Sequence, residues 1–177
     1  MTGFLGGTFD PIHFGHLNLA INLKEKAGLD KIIICPAWVS PFKEGQKMAS
    51  PQHRLAMCRL AIEGLKGFEV LDYEIKKAGP SYTIDTIKYL NRPLRLLLGD
   101  DQLKDFSKWK EADLLKKLAP PLVGTRFQKE GETTIPIMEI SSTDIRQRLK
   151  AKEPCVHLVP HKVLDYIFKN DLYCFSE

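Results

Sequence analysis

Five short apolar runs separated by stretches of helical period constrain this chain more than any other feature. They are Phe4-Leu5, Ile32-Ile33-Ile34-Cys35, Phe68 to Leu71, Leu94 to Leu98 and Leu122-Val123. Each is too short for a helix and apolar without alternation, which is the pattern of a strand buried on both faces. Strands that alternate with helices build a parallel sheet covered on both sides. The expected fold is therefore α/β, a Rossmann-like doubly wound sheet with a small helical subregion at the C-terminus. With 177 residues there is material for one substantial core and little room for a second, so one domain over 1–177 is expected.

The helical segments carry their own punctuation. The first begins just after a glycine-rich turn, places Leu19, Ala20, Leu23 and Ala27 on one stripe, and stops at Gly28. The second has Ser50 as N-cap and Pro51 in its first turn, with Leu55, Cys58, Ile62 and Leu65 as the expected core face. A helix over Gln102 to Phe106 needs Asp100 or Asp101 as its cap. The C-terminal third reads as a short strand near Ile135 to Ile140, a helix from about Thr143 to Lys150 and a last helix from about His161 to Asn170.

Composition narrows the function. Lys and Arg outnumber Asp and Glu by 26 to 22, a surplus that suits small anionic substrates and falls short of the clustered basic face a nucleic acid requires. The four cysteines, Cys35, Cys58, Cys155 and Cys174, are scattered and follow no secretory leader, so they read as reduced thiols of a cytoplasmic protein. The apolar runs are too short to span a bilayer, and no membrane role is expected.

The segment Gly6-Gly7-Thr8-Phe9-Asp10-Pro11-Ile12-His13-Phe14-Gly15-His16 leaves the first strand and opens the first helix. In an open α/β sheet that junction is the ligand-binding edge. Gly6 and Gly7 let backbone approach a polyphosphate, and the helix N-terminus offers unpaired N–H groups to it. His13 and His16, three apart, can face one anion and donate hydrogen bonds to oxygens whose charge changes during transfer. A tight turn with two packing histidines is the plainer alternative. A zinc pair is disfavoured because no third ligand is nearby.

Gly-Thr-Phe-Asp-Pro-x-His-x-Gly-His resembles the signature of the HxGH nucleotidyltransferases, and Ile140-Ser141-Ser142-Thr143-Asp144-Ile145-Arg146 resembles their second signature. On physical grounds Ser141 to Thr143 can cap a helix whose N–H groups meet phosphate, with Arg146 one turn later aimed at the same oxygens. In the middle of the chain, Pro80-Ser81-Tyr82-Thr83-Ile84-Asp85-Thr86, Leu98-Gly99-Asp100-Asp101 and Trp109-Lys110-Glu111 resemble the bacterial nicotinate-nucleotide adenylyltransferase pattern in order and spacing. The similarity covers nearly the whole chain.

That resemblance implies ATP and nicotinate mononucleotide as substrates and adenylyl transfer as the reaction. Gly6, Gly7, Thr8, Phe9, Gly15, His16, Gly99, Asp101, Ile140, Ser141, Ser142, Thr143 and Arg146 are the expected ATP-side residues. His13, His16, Lys43 and Arg146 are expected around the phosphates, with Mg²⁺ bridging these oxygens through water rather than in a protein cage. On the acceptor side stand Tyr82, Thr83, Asp85 and Trp109. A flat pyridine can stack on the tryptophan, and its carboxylate suits the N–H donors of a helix start at Tyr82-Thr83, which favours the acid over the amide. Two departures stand out: Phe42 replaces the histidine usual before Lys43, and Gly124 to Thr134 matches the family turn only at Arg126. Phosphopantetheine as acceptor and a non-catalytic nucleotide-binding module are the rival readings, and a homo-oligomer is left open.

Overall fold

The structure, a computed structural model, describes residues 1–43, 45–124, 138 and 140–173. The five apolar runs fall on strands, with only Leu71 just past the end of its own: β1 (Thr2–Gly7), β2 (Lys31–Pro36), β3 (Phe68–Val70), β4 (Leu94–Gly99) and β5 (Pro121–Gly124). They form one all-parallel sheet in the order β3-β2-β1-β4-β5. The central neighbours β1 and β4 are far apart in sequence. The connections therefore run in opposite directions from that pair, which opens a crevice at its carboxyl end.

Eight helices are described: α1 (Phe14–Lys26), α2 (Pro51–Ala61), α3 (Tyr73–Lys77), α4 (Thr83–Leu90), α5 (Asp100–Lys104), α6 (Ala112–Leu118), α7 (Ser142–Lys150) and α8 (His161–Lys169). Side chains that alternate along the strands feed two cores. Leu5, Ile32, Ile34 and Leu97 pack with Leu19, Ala20 and Leu23 of α1, Met57 of α2, Ile145 of α7 and Val163 of α8. Phe4, Ile33, Cys35, Leu96 and Leu98 face the opposite way, onto Ile84 and Ile87 of α4 and Leu115 of α6. Burial on both faces is why the strands read as continuous apolar runs.

Several local expectations shift. In α1 the stripe ends at Leu23, because Ala27 lies beyond the last turn and is exposed. The core face of α2 is Arg54, Met57, Cys58 and Ala61, and the helix ends before Ile62 and Leu65, which are only partly buried. α5 starts at Asp100 with Gly99 as its N-cap, and Gln102 Oε1 accepts from the Gly99 N–H at 3.2 Å, so neither aspartate takes the cap position. A separate 3₁₀ turn then covers Phe106–Lys108. Cys35, Cys58 and Cys155 are free and buried. Arg126, Cys174 and most of the expected strand near Ile135 to Ile140 lie outside the described residues; Met138 and Ile140 are described and belong to no strand.

Candidate active site

The loop between β1 and α1 is held in a shape that side chains at its glycines would disturb. A Cβ at Gly7 would stand 2.9 Å from the Phe9 ring, and one at Gly15 would stand 3.0 Å from the His13 ring and 3.1 Å from the Met138 carbonyl. His13 occupies the N-cap of α1, and its main-chain N–H donates to His16 Nδ1 at 3.3 Å. The two imidazoles stack with centroids 3.7 Å apart, and the Phe9 ring meets His16 edge-on at 4.9 Å. An Nδ1 that accepts leaves the proton on Nε2, so His16 is a donor at its outer nitrogen. Burial lowers the pKa of His13 to about 4. His16 is also pushed well below the usual value, first by desolvation and then by His13 and Lys43. Both rings are neutral donors near neutral pH.

The C-terminal signature arrives on the same loop. Ser141 caps α7 by accepting from the Thr143 N–H at 3.2 Å, and the Ser142 hydroxyl donates to the Pro11 carbonyl at 3.0 Å. Arg146 Nη1 donates to the Asp10 carbonyl at 2.7 Å, while Nη2 donates to Thr143 Oγ1 at 3.3 Å. Lys43 ends the 3₁₀ turn Pro41–Lys43, and its pKa is lowered by partial desolvation and then by Arg146, so the two cations share this rim. Two segments more than 120 residues apart in sequence thus meet over one crevice.

The other half of the crevice is built around the start of α4. Tyr82 takes its N-cap position, and Lys110 Nζ lies 4.5 Å from the Tyr82 ring centroid. Trp109 is half-buried and tilted at 45° against Phe106. Asp85 faces Lys77 at 2.9 Å and Lys110 at 3.2 Å. Beneath lies Glu74, buried, accepting from the Thr86 hydroxyl at 2.6 Å, with its pKa raised by desolvation.

These residues surround a half-open cavity of about 800 Å³, within the range of small-ligand sites. The β1 end lines it with Gly6, Gly7, Thr8 and Phe9, and the α1 start adds His13, Gly15 and His16. Lys43 follows from its 3₁₀ turn, Gly99 from the end of β4 and Asp101 from α5, with Tyr82 and Thr83 from the start of α4, Trp109 beside them, and Ile140, Ser141, Ser142 and Thr143 from the second signature. Two expected residues do not line it. Asp85 turns to its lysines, and Arg146 sits at the rim with its guanidinium donating to the Asp10 carbonyl. Phe42 lines the mouth at 61% exposure, where it can offer apolar surface and no hydrogen bond.

Arg54 is the feature that sequence reasoning missed. It is 1% exposed, and its guanidinium donates to four carbonyls: Thr8 at 2.7 Å, Ala37 at 2.6 Å, Trp38 at 2.6 Å and Ala49 at 3.1 Å. The Trp38 N–H in turn donates to Ser81 Oγ at 2.9 Å, and the Ser81 N–H donates to the Val39 carbonyl at 2.9 Å. One buried cation therefore connects the glycine-rich loop to the strand exit that carries the α4 start. Arg54 stands one turn before Cys58 on the core side of α2, and an arginine there carries no sequence signal for its carbonyl partners. Among the described residues there is no group of three or more His, Cys, Asp or Glu able to hold a metal ion, and no helix long and apolar enough to cross a membrane.

A parallel sheet with neutral donors, cations and a helix start converging on one crevice defines a class, the nucleotidyltransferases, and the cytidylyltransferase-like family matches residues 4–148. The nicotinate-nucleotide adenylyltransferase of Bacillus subtilis (strain 168) is 37% identical over 183 residues, covering 97% of each chain. A Roseiflexus sp. (strain RS-1) protein named "Probable nicotinate-nucleotide adenylyltransferase" is 40% identical over 192 residues, covering 97% of this chain and 96% of the relative. The chain belongs to the nicotinate-nucleotide adenylyltransferase family. A crystal structure from Vibrio parahaemolyticus shares the fold with a TM-score of 0.75 at 18% identity, covering 99% of this chain and 96% of that one.

Proposed function

We propose that the chain transfers the adenylyl group of ATP to the 5′-phosphate of nicotinate mononucleotide, releasing pyrophosphate and forming nicotinate adenine dinucleotide, a step of NAD biosynthesis. An acceptor phosphate oxygen attacks the α-phosphorus in line; the new P–O bond forms as the bond to the bridging oxygen of the β-phosphate breaks. No covalent enzyme intermediate is required. Catalysis then rests on position and on charge stabilisation. The observation that carries this reading is the meeting of the two signatures over one cavity that also holds Trp109 and the start of α4.

In that reading the Nε2–H of His16 donates to an α-phosphate oxygen as charge builds on it, with His13 and Thr8 beside it. Lys43 and Arg146 balance the departing pyrophosphate. The nicotinate ring stacks on Trp109, and its carboxylate takes the free N–H groups at the start of α4, with Lys110 near the rim adding positive charge. Asp101 is close enough to the cavity to accept from ribose hydroxyls. The described residues contain no group of three or more His, Cys, Asp or Glu that could hold a metal ion, so Mg²⁺ would arrive with the ATP phosphates and supply positive charge to them.

The test is an assay with ATP and Mg²⁺ and one of three acceptors: nicotinate mononucleotide, nicotinamide mononucleotide or phosphopantetheine. Nicotinate adenine dinucleotide should be the dominant product. Preferential use of phosphopantetheine, or nucleotide binding without pyrophosphate release, would overturn the assignment.

A further inference from the structure

The glycine-rich loop contains one buried acid to which the reaction above gives no work, Asp10. It is 2% exposed. Its Oδ1 accepts from the Tyr173 hydroxyl at 2.7 Å and from the Ala49 N–H at 3.1 Å. Its Oδ2 has no hydrogen-bond partner and stands 3.6 Å from Arg146 Nη1, the same nitrogen that donates to the Asp10 carbonyl. The carboxyl and carbonyl of Asp10 together form a seat for the guanidinium, and Tyr173 fixes the rotation of the carboxyl within it.

Both ends of this bond sit beside unusual backbone. Tyr173 has φ +65°, and Phe9, immediately before Asp10, has φ +51°. Bulky residues rarely adopt such angles, and they persist where surrounding contacts hold them, most often at functional sites. Tyr173 is 3% exposed and packs in the same core as Ile145, the neighbour of Arg146 on α7. Burial keeps the phenol protonated, so it is the donor and the Asp10 carboxylate is the acceptor.

We propose that Tyr173 is a positioning residue for adenylyl transfer, holding Arg146 at the phosphate rim through Asp10. The proposal rests on the functional reading above and extends it to the segment after α8.

The test is a double-mutant cycle on the full chain, with pyrophosphate release from ATP, Mg²⁺ and nicotinate mononucleotide as the readout and a thermal melt of every variant. Tyr173→Phe should lower kcat about tenfold while the KM of the acceptor changes less than about twofold. In an Arg146→Ala background the same substitution should change kcat by less than about twofold, because the group it positions is gone. Wild-type kcat in Tyr173→Phe overturns the proposal, as does an equal fold-loss in both backgrounds. A Tyr173→Phe chain already unfolded at the assay temperature assigns the hydroxyl to stability and also overturns it. A wild-type chain that releases no pyrophosphate sinks the functional reading and this inference together, whereas an active wild type with an unaffected Tyr173→Phe sinks the inference alone.

Discussion

The main-chain N–H of His13 donates to Nδ1 of His16, so the backbone of one signature histidine sets the tautomer of the other. With a main-chain donor, only the His16 ring is fixed by the bond, and it carries its proton on Nε2 while stacked on its partner.

The first prediction follows from that aim. His16→Ala should lower kcat by roughly 10²-fold or more with little change in unfolding midpoint, since the ring is a donor at the cavity wall. Steady-state pyrophosphate release and a thermal melt measure both. His16→Asn should recover part of the loss if its amide reaches the same oxygen.

Acid should weaken the fold through His13. Its pKa falls from 6.5 in the unfolded chain to about 4 in the folded one, so the unfolded state binds the extra proton between those values. The stability associated with the neutral ring is complete above pH 6.5 and is lost as pH drops toward 4, with a limiting slope of about 1.4 kcal/mol per pH unit for one proton. Urea unfolding at a series of pH values should show a shallower decline in His13→Asn than in the wild type.

Gly15→Ala should be a catalytic lesion more than a folding one. The added methyl would press on the edge of the His13 ring and on the Met138 carbonyl. Overpacking of this kind costs about 1–3 kcal/mol. A rate unchanged from wild type would show that the stacked pair tolerates displacement.

Trp109→Ala should raise the KM for nicotinate mononucleotide about tenfold, from the loss of roughly 1–3 kcal/mol of ring stacking. The KM for ATP should stay within about twofold. Equal weakening of both substrates would remove Trp109 from the acceptor side.

Arg54→Met should destabilise the chain by about 3 kcal/mol. It removes a guanidinium that satisfies four carbonyls and leaves those in the interior unpaired. A urea midpoint near wild type would show that water replaces the guanidinium without cost.

The strands and the glycine-rich loop were legible in the sequence because each leaves a local trace. Burial on both faces makes a run such as Ile32 to Cys35 continuously apolar, and a tight strand-to-helix junction announces itself through Gly6, Gly7 and the histidine spacing. Arg54 and Glu74 leave no such trace. Their partners are loop carbonyls and Thr86, which folding alone brings near, so no local pattern points to either residue. Asp85 was legible as part of a pattern, but the side it faces was not: whether a carboxylate on the first turn of α4 meets substrate or Lys77 and Lys110 depends on packing between segments 25 residues apart.

The four carbonyls on Arg54 also bear on how far apart the two reactants stand. In the proposed reaction Thr8 belongs to the stretch that would cup the triphosphate, and Ala37 and Trp38 lead through Ser81 to the stretch that would cup the pyridine. A rigid planar fork bolted to main chain on both banks would then act as a gauge, with the gap an attacking oxygen must cross set by peptide geometry rather than by the side chains around the pocket.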